Sequence, residues 1–395
     1  MEDFDEQDYE RQQLEYFQTT LPQFDFSPTF SDAIYESLAL HHLKKLSING
    51  SQANTRFSDT DVINLIEALN VGHAHLEEIA LTHHRITDVG FEEILRLLKP
   101  TLYAESSSQI HNQAFLLSIN LEGNDIQGNS IENSPLNSKY DCSLQSLNLS
   151  SNPISKKGQI GLSNMIMNNQ ILKQLILNNC NFELNGLILF TSNLLHNDSL
   201  QTLSFNRPLL TNIKEELIID HIHRVLLSNQ HLTDLSLKYY NIYDFGAKLL
   251  SESLLRNHYM ISLNLECNHI NVAGAEAIAS YLLDKPKNCL RFLGLSYNRV
   301  SNDGAIALAE AIKNNTNLRS LTLKSNNIGP IGLEAIAQAL ATSVNLESLT
   351  IFGNNFDNQN GRDYFELIRH RLPYTNMYLD IKVYVVDGQY KIAEN

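Results

Sequence analysis

The side chains able to do chemistry are few and scattered in this chain. Histidines gather at His73, His75, His83 and His84, and a second pair, His221 and His223, stands two residues apart. A metal site needs His, Cys or carboxylate ligands that converge. Residues two apart on a helix do not share a face, so His221 and His223 are not a ligand pair. The group at 73–84 reads as solvated or capping histidines. Cys142, Cys180, Cys267 and Cys289 lack zinc-type spacing and read as reduced core or surface thiols. No phosphate-binding glycine loop and no nucleophile elbow occurs. These residues predict a chain that is not an enzyme and needs no metal or cofactor.

The elements that carry those side chains come from a repeat. Leu290, Leu293, Leu295 and Asn298 follow the spacing L-x-x-L-x-L-x-x-N, as do Leu318, Leu321, Leu323 and Asn326, and Leu346, Leu349, Ile351 and Asn354. The first apolar position recurs at Leu43, Leu76, Leu116, Leu144, Leu172, Leu200, Leu232, Met260, Leu290, Leu318 and Leu346. The steps are 33, 40, 28, 28, 28, 32, 28, 30, 28 and 28, a period that marks about eleven stacked units. In each unit the alternating apolar residues predict a short strand with one buried face. The asparagine (Asn124, Asn152, Asn268, Asn298, Asn326, Asn354) is predicted to be buried and bonded to the backbone of a turn and of its neighbour.

Six residues further on sits a glycine, at Gly90, Gly158, Gly186, Gly246, Gly274, Gly304 and Gly332, read as a tight lead-in to the next element. A helical stripe follows: Ala275, Ile278, Ala279 and Leu282, then Ala305, Leu308, Ala309 and Ile312, then Leu333, Ile336, Ala337 and Leu340. Strand, turn and helix repeat, and no unit can bury its own apolar face, so neighbours must stack. The predicted fold class is α/β: a leucine-rich repeat solenoid, a right-handed β-α horseshoe over 43–360. An acidic tail and cap at 1–42 and a C-terminal helix and hairpin at 361–395 flank it.

These residues resemble the ribonuclease-inhibitor-like class of leucine-rich repeats over about 40–360. That resemblance implies strands on the concave side, helices on the convex side, and a surface that binds other proteins. The ladder together with the C-terminal YVVDG strand is similar to the family of leucine-rich-repeat-containing protein 34. Its association with ciliated and germ cells implies an axonemal or cytoskeletal setting. The repeat class also includes GTPase activators of Ran, whose long acidic tail is C-terminal, whereas here the acid is N-terminal. A leucine-rich repeat effector or sensor is the third alternative.

Net charge is −15, and residues 1–25 alone hold eight acids against Arg11. Such a balance disfavours binding to nucleic acid phosphates or acidic membranes. No apolar run resembles a signal peptide or a span, so an intracellular, non-membrane location is expected.

The repeat is broken in places. Residues 101–114 are an insertion, and 127–142 (QGNSIENSPLNSKYDC) replace a helical stripe with turn formers, predicting no regular helix there. The asparagine lapses at Cys180, Pro208 and Tyr240, predicting altered curvature near 205–215. Asp387-Gly388 between β-forming residues predicts a hairpin. The larger groups on the predicted concave face are Lys238, Tyr239, Glu266, Arg291, Phe292, Tyr297, Arg319, Lys324 and Phe352. Aromatic and arginine side chains favour hot spots, so these are the candidate partner-binding residues.

Overall fold

The computed structural model describes residues 44–51, 56–71, 76–98, 116–139, 142–208, 215–284, 289–343, 345–356, 377–386 and 389–395. One parallel sheet runs through it in sequence order, and it has twelve strands. These are β1 (Lys45–Asn49), β2 (Glu78–Thr82), β3 (Ser118–Asn120), β4 (Ser146–Asn148), β5 (Gln174–Ile176), β6 (Thr202–Ser204), β7 (Asp234–Ser236), β8 (Ser262–Asn264), β9 (Phe292–Gly294), β10 (Ser320–Thr322), β11 (Ser348–Thr350) and β12 (Tyr378–Leu379). The first eleven begin two residues after the ladder leucines. The twelfth escapes the ladder because Asn376 takes the first leucine's place. Its register is nevertheless that of the repeat, with Leu349 opposite Leu379.

Helices connect the strands: α1 (Asp59–Val71), α2 (Asp88–Arg96), α3 (Lys156–Asn168), α4 (Leu184–Leu194), α5 (Glu215–Ser228), α6 (Asp244–Leu254), α7 (Val272–Leu283), α8 (Ser301–Asn314) and α9 (Pro330–Leu340). The core lies between the two layers. Leu321, Leu323, Leu308 and Ile336 are wholly buried, and the alanines of the stripe, such as Ala305 and Ala337, let helix backbone approach the sheet. Repeat three has no α-helix among its described residues. Two 3₁₀ turns, Ile131–Asn133 and Pro135–Asn137, stand in its place, the second opened by Ser134 and Pro135. A cleft of about 300 Å³ lies beside them, walled by Asp88, Val89 and Glu92 of α2 and by Asn129 and Pro135.

The helix-entrance glycines have a different cause from the one read above. Only Gly123, Gly128 and Gly353 among the described glycines have positive φ. At Gly90 a Cβ would lie 2.7 Å from Asp59 Oδ1, and at Gly274 it would lie 2.8 Å from Asp244 Oδ1. In both places that carboxylate accepts the glycine's own N–H, at 3.0 Å. At these two places the first helical residue of one repeat therefore caps the next helix, and glycine keeps the path clear.

Left-handed backbone appears instead one residue ahead of the ladder asparagine, in every repeat from the second to the eleventh: His83, Gly123, Ser151, Asn179, Arg207, Tyr239, Cys267, Tyr297, Ser325 and Gly353. For the non-glycine residues this costs roughly 1 kcal/mol each. It turns the N–H toward the following repeat, as in His83 to Glu122 O at 2.8 Å and Tyr297 to Lys324 O at 2.7 Å.

At the far end β13 (Ile381–Val386) and β14 (Gln389–Glu394) form an antiparallel pair, with Val386 opposite Gln389 on either side of residues 387–388. The acidic segment 1–42, the insertion 101–114 and the C-terminal helix expected at 364–372 lie outside the described residues. So does 209–214, where most of the expected change of curvature falls.

Candidate functional site

The strands are held in step by buried side-chain amides. Asn124 Nδ2 donates to Leu81 O at 2.8 Å and Leu121 O at 2.9 Å, and Oδ1 accepts Ile86 N–H at 3.2 Å. Asn152, Asn268, Asn298, Asn326 and Asn354 make the same crossing, each donating to a leucine carbonyl of the repeat before. His84 fills the equivalent place in repeat two. Burial is the main cause that lowers its imidazole's pKa, with the Ile48 carbonyl opposing.

A second asparagine row went unread in the sequence. Asn169, Asn197, Asn229, Asn257 and Asn315 stand three residues before the ladder leucine. Each donates to a carbonyl at the end of the previous helix or 3₁₀ turn, as Asn197 does to Ile166 O at 2.7 Å. Each also accepts the N–H of the ladder leucine or methionine, as Asn197 does from Leu200 at 2.7 Å. The signal was there, an asparagine at a constant offset, in positions that resemble ordinary loop residues.

On the concave face these frames present short polar groups that bond one another. Asn178 Oδ1 accepts from Ser204 Oγ at 2.8 Å and from Asn206 N–H at 2.9 Å, and Asn206 Oδ1 accepts from Ser236 Oγ at 2.8 Å. The middle of the surface is thus fixed in place and its donors are largely used.

Two of the nine candidate residues, Lys238 and Glu266, are paired directly. Lys238 Nζ lies 2.6 Å from Glu266 Oε2, and Glu266 Oε1 accepts from Thr322 Oγ1 at 2.6 Å. The carboxylate thus reaches two repeats along, across the strand that carries Gly294. Burial alone would raise the pKa of Glu266, but the Lys238 ammonium and the Thr322 hydroxyl outweigh it and hold it below the ordinary value. Tyr239 and Tyr297 stand at left-handed positions on the rim, 54% and 56% exposed, with Cys267 at the equivalent position between them. The hydrogen-bonded Cys267 sulfur is the first cause that pushes the Tyr239 phenol's pKa up.

Arg319 is tied to the entering edge of the sheet, donating to Thr316 O at 3.0 Å and Asn345 O at 3.2 Å and pairing with Glu347 at 3.2 Å. Arg291 and Phe292 lie on the same edge, exposed and half-buried respectively. Lys324 is engaged within the chain: Nζ is 2.7 Å from Glu394 and 3.5 Å from buried Asp380. Phe352 packs half-buried against the core beside that cap. Among the described residues no three His, Cys, Asp or Glu side chains are placed to hold a metal ion. Among them also, no helix is long and apolar enough to cross a membrane.

The Leucine Rich repeat family matches residues 72–95, 140–163, 256–279, 287–309 and 314–337. With the twelve-stranded parallel sheet and its alternating helices, this makes the chain a leucine-rich repeat protein of solenoid architecture, a fold that presents surfaces to protein partners. No curated protein matches it in sequence. Among solved structures it is similar to an internalin (inlF) from Listeria monocytogenes, with 15% identity and a TM-score of 0.44, over 92% of this chain and 99% of that one. It is also similar to Leiomodin-1 Actin-Binding Site 2, with 19% identity and a TM-score of 0.30, over 47% of this chain and 86% of that one.

Proposed function

We propose that this protein is a non-enzymatic scaffold that holds a protein partner against the C-terminal half of its concave face, with Tyr239 and Tyr297 as anchors. One observation carries this reading: two large aromatic side chains, each more than half exposed, project from equivalent rim positions two repeats apart. Tyrosine offers wide contact area at little cost in rotamer entropy. The neighbouring charges are already paired in Lys238–Glu266 and Lys324–Glu394, so shape and aromatic burial supply the affinity. The setting we propose is cytoskeletal, in a ciliary or flagellar axoneme. The support is the likeness of the ladder and C-terminal strand to a family of ciliated and germ cells.

Proximity labelling in the native cell tests both levels. Cytoskeletal neighbours should be captured by the unaltered chain and lost with the double variant Tyr239→Ala/Tyr297→Ala. An unchanged neighbour set would remove the tyrosine rim from the reading. Capture of small GTPases without cytoskeletal components, or acceleration of GTP hydrolysis by the purified chain, would replace the scaffold with a GTPase regulator.

A further inference from the structure

We infer that His84 is a proton-sensitive latch between the first repeat and the second, so that acidification releases the β1–α1 unit while the rest of the solenoid stays folded. The geometry fixes the tautomer. His84 is 2% exposed, and its Nε2 lies 3.1 Å from Ile48 O, a group that can only accept. Nε2 therefore carries the proton, and bare Nδ1 accepts the Phe57 N–H at 3.0 Å. Both partners belong to repeat one: Ile48 lies in β1 and Phe57 stands just ahead of α1.

The contacts are those of the ladder asparagine. Asn124 donates to Leu81 O and accepts from Ile86 N–H, and Phe57 holds the place of Ile86, since each carbonyl accepts from the next repeat (Arg85 N–H and Asp125 N–H, both at 2.9 Å). An asparagine amide cannot titrate in this range, whereas an imidazole can. Protonated at Nδ1, the ring would turn a donor toward the Phe57 donor and hold a buried charge.

The ring cannot swing away. Phe57 stacks on it at 4.7 Å, and even a methyl group on Gly50 would come within 2.5 Å of Nδ1. Arg56 and His83 oppose a positive charge there, and Asp61 favours it. Asp61 Oδ2 is already bonded by Ser58 N and Oγ, both at 2.7 Å, and Asp59 is committed to Thr87 and Gly90. Across the strands stand two exposed ion pairs, Lys44–Glu77 and Lys45–Glu78, both at 2.8 Å.

Burial, the leading cause, puts the latched imidazole's pKa below its ordinary 6.5, so the released form holds the extra proton in the window just under that value. Opening should rise by up to about tenfold per pH unit as pH falls through that window. Repeats are stabilised mainly by their nearest neighbours, so the first can come away from the second without unfolding the others.

Hydrogen exchange of the full chain, corrected for intrinsic rates, tests this between about pH 7.5 and about pH 5. Opening of 45–71 should rise about tenfold at the acid end, with 318–350 unchanged. His84→Asn, which keeps both bonds, should flatten the profile of 45–71, with His84→Gln in its place if the asparagine variant does not fold. A pH profile shared by wild type and variant, or an equal rise along the whole chain, would overturn the latch.

Discussion

The Cys180 sulfur lies 3.3 Å from the carbonyl oxygen of Leu149, the place the Asn152 amide fills against Leu121 O at 2.9 Å one repeat earlier. The thiol donates as the amide does, but it has no carbonyl to accept the Ile154 N–H. That N–H turns to Asn152 O at 2.9 Å instead. Phe182 N–H makes the same retreat to Cys180 O at 2.9 Å, because Pro208 has no side-chain acceptor either. Burial pushes the Cys180 thiol up to about 12, so it stays protonated and keeps donating.

Replacing Cys180 with asparagine should therefore stabilise the protein, by about 1 kcal/mol in urea unfolding, as one well-formed hydrogen bond would. Asn152→Ala should cost about 3 kcal/mol, because Leu121 O, Leu149 O and Ile126 N–H all lose their amide partner. Equal stability of the two variants would mean that the backbone repairs either loss unaided.

The strands, the helical stripe and the first asparagine row could be read from the sequence because each leaves a periodic residue type. The left-handed row could not: among His83, Ser151, Asn179, Arg207, Tyr239, Cys267, Tyr297 and Ser325 no residue type repeats often enough to mark it. The site suffered the same way. Position identified Lys238, Glu266 and Lys324 as concave-face residues, but not that Glu266 would cross Gly294 to Thr322, or that Glu394 and Asp380 would claim Lys324. Those contacts join residues 56 and 70 positions apart, two repeats or more, and the pattern of a single repeat does not mark them.

The glycine at the helix entrance makes a coupled prediction. Asp59→Ala should cost about 1–2 kcal/mol, since Thr87 N–H at 2.8 Å and Gly90 N–H at 3.0 Å lose their cap. Gly90→Ala should cost about 1–3 kcal/mol by driving a methyl group against that same carboxylate. The double variant should fall short of the sum by about 1 kcal/mol, because the collision disappears with the cap. Strict additivity would show that Ile86, the other neighbour at 2.8 Å, sets the cost alone.

Lys238→Met should raise the Glu266 carboxyl, which keeps its desolvation but loses its main stabilising partner. The sign follows from linkage. A carboxyl depressed in the folded state adds stability above its unfolded pKa and loses it as pH falls through the folded value. The variant should therefore be less stable by about 1–2 kcal/mol near neutrality, a figure already reduced because a third of the Lys238 side chain is exposed. The deficit should shrink as pH falls through the lowered folded value of wild-type Glu266 and vanish once that carboxyl is protonated in both proteins. A deficit independent of pH would assign the lysine's contribution to packing of its methylene stem.

The last rung carries the remaining prediction. Asp380, wholly buried, accepts Ile351 N–H at 2.7 Å and Phe352 N–H at 3.2 Å, so a carboxylate closes β11 where the sheet is about to end. Beyond it the chain folds back. Asn395 N–H donates to Asp380 O at 2.8 Å and its Nδ2 to Leu379 O at 3.3 Å, in the manner of a further strand. Glu394 fastens this return to Lys324, whose ammonium pKa it raises. An uncovered sheet edge recruits other edges. Removing residues 389–395 should thus lower stability by about 2 kcal/mol and, in sedimentation velocity, convert the chain to concentration-dependent oligomers. Glu394→Gln should produce the first effect weakly and the second not at all, since Asn395 still covers β12. If the truncated chain sedimented like the intact one, the β12 edge would owe its protection to something other than the C-terminal return.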